Sequence, residues 1–203
     1  MTNDSSTGGY LAPLESLVDD AELDLLFQPV IVGVTGLAGS LVRRKGQAVP
    51  GPQPDRNTTW CSFAAMTTDA DTNPNIVHDG NALDGEGVDY GLRSETIEVT
   101  VTFYGPSAVG TAKILRDGLG IPQNRDQMRC DGLAYVGLER ITFVPDLENG
   151  QVVRRADVVF RARRMAVRTY PVRNITSASG TVTTDSQSRS GRSVVTSTYQ
   201  TET

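Results

Sequence analysis

Residues 96–104 alternate without a lapse. Ile97, Val99, Val101 and Phe103 point one way, and Thr96, Glu98, Thr100 and Thr102 the other. Successive side chains of a strand leave opposite faces, so this stretch is a β-strand with one face buried and one face wet or covered by a partner. The chain therefore needs a sheet, and it needs a second layer to cover one side of that sheet. A length of 203 residues suits one ordinary domain plus extensions. With 38% hydrophobic and 21% charged residues, such a chain buries one core and leaves part of itself unpacked.

The flanking segments supply the remaining elements. Leu14, Leu17, Val18, Ala21 and Leu25 fall at spacings of three and four, which predicts a helix over 13–26. Asp19 or Asp20 can cap a second helix that begins near Ala21. Pro29 inside a helix costs about 3 kcal/mol. Residues 30–34 therefore read as a kinked helix or a short buried strand, and the helix is favoured. Pro50, Pro52 and Pro54 make 47–57 an extended arm. Residues 60–66 read as a strand, and 67–91 as a polar loop rich in Asp, Asn and Gly. Gly105 breaks the alternating strand, and Pro106 opens a helix that runs to about Asp117 and ends at Gly118 or Gly120. A short helix at 124–130 follows. Strands at 133–144 and 152–172 then pair as a hairpin through a turn at Gly150.

From 174 to 203 the composition shifts to Ser and Thr. Val182, Val194, Val195 and Tyr199 are too few to form a core. This end is a β-hairpin-like arm ordered on a neighbour, with turns at Gly180 and Gly191, or it is disordered. The expected fold is α+β: a largely antiparallel twisted sheet flanked by helices, with extended arms. The expected division is a flexible N-terminus at 1–9, the α+β domain at 10–173 and a C-terminal arm at 174–203.

Charge is unevenly spread around a net of -5. Asp19, Asp20, Glu22 and Asp24 crowd together near the start. Between 151 and 173 stand Arg154, Arg155, Arg161, Arg163, Arg164, Arg168 and Arg173, with Asp157 as the sole acid. The arginine fork suits carboxylate partners at interfaces, while an acidic chain is a poor nonspecific DNA binder. Acid face against basic face is the pattern of a head-to-tail ring. The candidate assembly contacts are Asp19, Asp20, Glu22, Asp24, Arg154, Arg155, Arg161, Arg163, Arg164 and Arg168. On the arginine strand, one face is then solvated or docked on an acidic partner. No apolar run reaches the roughly 18 residues of a membrane span. The polar start lacks the pattern of a signal peptide, so the expected compartment is the cytoplasm.

Motifs for chemistry are weak. Gly33-Val-Thr-Gly36-Leu-Ala-Gly39-Ser40 resembles a nucleotide-binding turn, but Val42 stands where a third glycine is wanted, and Gly39 lacks the following lysine of a P-loop. A helix C-terminus entering a tight turn is the better reading. His78 is the only histidine and reads as a surface residue without a relay partner. Asp69, Asp71, Asp79, Asp84, Glu86 and Asp89 lack the spacing of a calcium loop. Asn174-Ile-Thr176 matches a glycosylation acceptor, which has no meaning without secretion. Cys61 and Cys130 read as buried small hydrophobes, and Trp60 as core. No catalytic residue, cofactor or metal is expected.

Several blocks together resemble the phage neck terminator (tail terminator) proteins of the gp12-like domain family. They are Gly9-Tyr10-Leu11-Ala12-Pro13, GVTGLAGSLVRR at 33–44, Trp60-Cys61-Ser62-Phe63, Phe103-Tyr104-Gly105-Pro106, Leu115-Arg116-Asp117-Gly118-Leu119 and Pro122-Gln123-Asn124-Arg125. The resemblance implies a small α+β domain without catalytic residues. It further implies a hexameric ring in the virion neck that caps the tail tube and joins it to the head-side connector or stopper protein. Genomic DNA would pass through the lumen only as cargo, and a sheath protein would be a neighbour if the tail is contractile. A tail tube or completion protein is the alternative structural reading, and a nucleotide-binding enzyme the more distant one.

Overall fold

The computed structural model describes residues 3–15, 20–46, 51–148, 151–175, 177–188 and 191–202. Its elements in chain order are α1 (Asp20–Thr35), a 3-10 turn (Gly39–Leu41), β1 (Val42–Arg44), β2 (Trp60–Ala70), β3 (Asn75–Asp79), the single turn α2 (Ala82–Gly85) and β4 (Val88–Tyr104). They continue with α3 (Ala108–Leu119), α4 (Pro122–Cys130), β5 (Ala134–Phe143), β6 (Asp146–Glu148), β7 (Gln151–Val153), β8 (Arg155–Tyr170), β9 (Ser177–Ser188) and β10 (Gly191–Glu202). The fold is α+β with a mostly antiparallel mixed sheet, as the alternating strand demanded. The chain gathers into two units, one of Glu15–Asn75 and Gly91–Arg168, the other of Met1–Leu14, Ile76–Tyr90 and Thr169–Thr203.

The larger unit holds the core. The strand order is β1-β2-β4-β8-β5, with β3 also paired to β4. Antiparallel register sets Cys61 opposite Phe103, Phe63 opposite Val101 and Ala65 opposite Val99, so the apolar residues of β2 and β4 share one face. Ala156, Val158, Phe160 and Ala162 of β8 join the same buried cluster. Leu23, Phe27 and Ile31 of α1 and Ala108, Ala112, Leu115 and Leu119 of α3 cover it. Phe27 meets Phe160 edge-on at 6.0 Å. Burial pushes the Cys61 thiol up to about 12, so it behaves as a small hydrophobe. Cys130, by contrast, is exposed at the end of α4, contrary to expectation.

Helix α1 runs through Pro29 to Thr35, which excludes the strand reading of 30–34. Proline deprives the carbonyl four residues earlier of its donor. Here that carbonyl belongs to Leu25, and Leu25 and Pro29 are both exposed, so water can take the donor's place. Pro13 and Leu14 lie before the helix, and 16–19 lie outside the described residues. Gly36, at φ 71°, ends the helix in the left-handed conformation and donates its N–H to Val32 O at 2.9 Å. The expected loop at 67–91 holds the end of β2, all of β3 and the start of β4. An unexpected parallel pair joins β1 to β2, with Val42 opposite Cys61. Arg43 fastens the end of the proline arm by donating to Pro52 O at 2.7 Å. The pairing of β5 with β8 is antiparallel as expected, while the turn at Gly150 lies outside the described residues.

The smaller unit is held mainly by polar contacts. Ser5 N–H donates to Pro171 O at 3.1 Å, and Leu14 N–H to Thr169 O at 2.8 Å. Arg173 Nε donates to Asp4 Oδ2 at 2.8 Å. The Ser6 hydroxyl and N–H, and then Arg173, hold the Asp4 carboxyl below the usual range. Leu83 and Asp84, at φ 53° and 57°, bend α2 around Asn174. Asn174 donates its backbone N–H to Glu86 O at 2.8 Å, and its Nδ2 donates to Gly80 O and Gly85 O, both at 2.8 Å. Gly87, at φ 91°, admits the side chain, because a Cβ there would stand 2.6 Å from Asn174 Oδ1. His78 is exposed as expected but has two partners, Asp89 and Asn174.

Strands β9 and β10 form a regular hairpin from Ser177 opposite Glu202 to Ser188 opposite Gly191. The C-terminal segment is therefore structured within the chain itself. Gly191 opens β10 opposite Ser188, with 189–190 outside the described residues, whereas Gly180 lies inside β9 beneath the ring of Tyr199.

Two glycines of α3 give opposite expectations. A Cβ at Gly118 would run into Val34 Cγ1 of α1, whereas one at Gly110 meets nothing. Gly110→Ala should stabilise by about 0.5–1 kcal/mol through helix propensity. Gly118→Ala should destabilise by about 1–3 kcal/mol through overpacking. Chemical denaturation of both variants, with Val34→Ala added to rescue the second, checks the assignment.

Candidate assembly surface

Strand β8 sends its arginines to both faces of the sheet. On the face that carries the core, Arg164 reaches Glu95 of β4, with Nε and NH2 each 2.9 Å from Oε2. Arg168 approaches the other carboxylate oxygen at 3.8 Å. Glu95 is 7% exposed, so this cluster continues the apolar row of β4 as a buried ion pair. On the opposite face Arg161 meets Glu139 of β5 at 2.6 Å and Glu98 of β4 at 3.7 Å. Arg155 grips Asp157 with Nε and NH2, each at 3.0 Å.

The same open face continues toward β1. Lys45 Nζ donates to Thr102 Oγ1 at 3.0 Å. Trp60 is half-buried here rather than in the core. It stacks on Tyr104 with centroids 4.5 Å apart, and Arg43 lies 5.7 Å from the Trp60 ring. Strand alternation accounts for this: Cys61 and Phe63 face the helices, so Trp60 must face away.

Four of the six candidate arginines thus engage carboxylates of their own chain. Arg154 and Arg163 are exposed and have no ion-pair partner among the described residues. The acidic half of the expected surface is only partly described. Asp24 is half-buried and accepts a hydrogen bond from Ala65 N–H at 3.4 Å. Asp20 and Glu22 are in α1, but their side chains, like all of Asp19, lie outside the described residues. Sequence reasoning missed Glu95, Glu98 and Glu139, whose partners are 22 to 73 positions away in the chain. The glycine-rich segment at 33–40 ends a helix and precedes a three-residue 3-10 turn. It therefore lacks the helix N-terminus that a phosphate site uses. Among the described residues, the one charged side chain in the hollow beside Gly33 is Asp131, an acid.

The family model for phage neck terminator proteins matches residues 21–186. The chain belongs to the phage neck terminator family. The match spans the core sheet, α1, α3 and α4, and ends inside β9. A search of curated proteins finds no match. As a neck terminator, the chain is a structural phage protein that meets other head or tail components. Among the described residues no helix is long and apolar enough to cross a membrane.

The two ion-pair faces should respond differently to substitution. Glu95→Ala leaves the largely buried Arg164 guanidinium without its carboxylate and should cost roughly 3 kcal/mol. Arg161→Ala breaks an exposed pair and should cost less than about 1 kcal/mol. Urea denaturation of the two variants compares them directly.

Proposed function

We propose that this neck terminator acts as a hexameric ring that caps the tail tube and joins it to the head-side connector or stopper protein. Residues 10–173 form the ring-building domain in this reading. Residues 174–203 are its arm, and 1–9 its N-terminal extension. The hairpin carries the proposal. It has two twelve-residue strands and no core of its own. Val182, Val195 and Tyr199 share one face of it and remain 51 to 57% exposed. A lone two-stranded hairpin is marginal in water, so an exposed apolar stripe on one suits a surface completed by a neighbour.

Charge supports the same reading. Arg163 of β8 and Arg154 just before that strand are left for an acidic neighbour, and the Asp19, Asp20 and Glu22 cluster of the next subunit has the matching sign. The net charge of -5 keeps phosphate contacts with passing DNA weak. Assembly in the host cytoplasm follows from this role, and a contractile tail adds the sheath as a further neighbour.

Mass photometry and electron microscopy of the purified chain test the proposal. The expected outcome is single closed rings with six times the mass of the chain. Removing 177–203 should weaken ring assembly at least tenfold, the equivalent of about 1.4 kcal/mol. Long tubes would instead assign a tail tube role, and a monomer at micromolar concentration would end the ring reading.

A further inference from the structure

We propose that His78 is a proton-held clip on the root of the C-terminal hairpin, fixing the arm at acidic pH and releasing it as the pH rises. The clip stands on its own geometry, whatever the arm later docks against. Nδ1 of His78 lies 2.7 Å from Asp89 Oδ1, and Nε2 lies 2.8 Å from Asn174 Oδ1. A carboxylate oxygen can only accept. The Asn174 oxygen can only accept too, and its position is dictated by the other end of the amide. Both Nδ2 hydrogens are engaged by Gly80 O and Gly85 O. Turning the amide over would set its oxygen against two carbonyl oxygens. Both ring nitrogens of His78 therefore need a hydrogen, and only the imidazolium has two. In the neutral ring, one short contact becomes a lone pair facing an oxygen.

The charged surroundings favour the cation. Asp89 contacts the ring from β4, and the charge of Asp79, next to His78 in β3, also favours the cation. Asp84 in α2 and Glu86 just after it are exposed. Arg173, just before Asn174, is engaged by Asp4 at 2.8 Å and Glu86 at 3.6 Å. The hydrogen bonds to Asn174 and Asp89 accordingly hold His78 above the ordinary histidine value. A raised value in the folded chain sets the sign. The stabilisation is complete below the unfolded value of about 6.5 and is lost as the pH rises through the folded value. With its side chain 43% exposed, His78 exchanges its proton readily with solvent.

The consequence falls on the arm because Asn174 is three residues before β9. Its four hydrogen bonds, to Glu86, Gly80, Gly85 and His78, help attach the hairpin root, beside the contacts of Arg173 with Ser5, Asp4 and Glu86. Deprotonation frees Oδ1 and lets the amide leave its two carbonyls.

His78 is the only histidine, so its ring nitrogen signals in the full-length chain need no assignment. An NMR titration from about pH 5 to 9 should give a midpoint above the ordinary 6.5. The Asn174 side-chain NH2 signals should move with the same midpoint. Hydrogen-exchange protection of the Asn174 backbone N–H should fall about tenfold for each pH unit separating the unfolded and folded midpoints. His78→Gln, whose amide does not titrate and offers a donor nitrogen on one side only, should abolish that pH dependence. A midpoint at or below the ordinary value overturns the proposal. So do Asn174 signals that ignore the titration, or an unchanged pH dependence in His78→Gln. If that variant fails to fold, the titration of the natural chain still decides.

Discussion

The structure depends on burying one face of β4 against α1 and α3. Ile97, Val99, Val101 and Phe103 are fully buried there, and β2 and β8 bring their own apolar residues to the same side. At roughly 25 cal/mol per Å2 of apolar surface removed from water, this layer supplies the main driving force. At Glu95 the same row turns polar. A buried carboxylate needs a counterion, and Arg164 and Arg168 supply it from β8. The arginines of β8 are thus partly a structural requirement of a strand that carries a carboxylate in its buried row.

The smaller unit rests on different physics. The large apolar cluster draws every member from the other unit, although Val88 is buried here. Hydrogen bonds to Asn174, the Arg173–Asp4 pair and backbone bonds near the N-terminus hold the smaller one. Such contacts contribute about 0.5–1.5 kcal/mol each rather than the several of a buried aromatic ring. Elements held this way open at a lower free energy than a packed sheet. The hairpin follows the same pattern: twelve paired positions secure its backbone while its apolar side chains stay in water. On that face the Tyr199 ring lies over Gly180.

Elements with a strong local signature were legible in the sequence. The alternation at 96–104, the Gly105-Pro106 break and the turn after α1 all map onto the structure, because each is decided by near neighbours. What was illegible depends on distant partners. β3 consists of Asn75, Ile76, Val77, His78 and Asp79, all but Asp79 exposed, so no apolar alternation marks it. The parallel pairing of β1 with β2 spans the proline arm, and three residues are too few to announce it. His78 is 96 positions from Asn174, and nothing near either residue points to the other. The arginine run was visible, but its distant carboxylate partners were not, since Glu95 and Glu98 sit on β4 and Glu139 on β5.

The sheet edges narrow how copies can associate. A long, flat edge invites another strand and open-ended growth. Along the sheet path, β1 closes one end with three residues. β5 closes the other, and its register shifts between Tyr135 and Gly137 and again between Leu138 and Arg140. Such bulges twist an edge away from a regular ladder. Neither end of this path therefore templates continuous strand addition. Association between copies is left to side-chain faces and to the hairpin, whose two outer edges remain free among the described residues. A head-to-tail contact of that kind closes into a ring or runs on as a filament according to the rotation it imposes. Blunt edges on the sheet thus leave strand-pairing capacity to the hairpin.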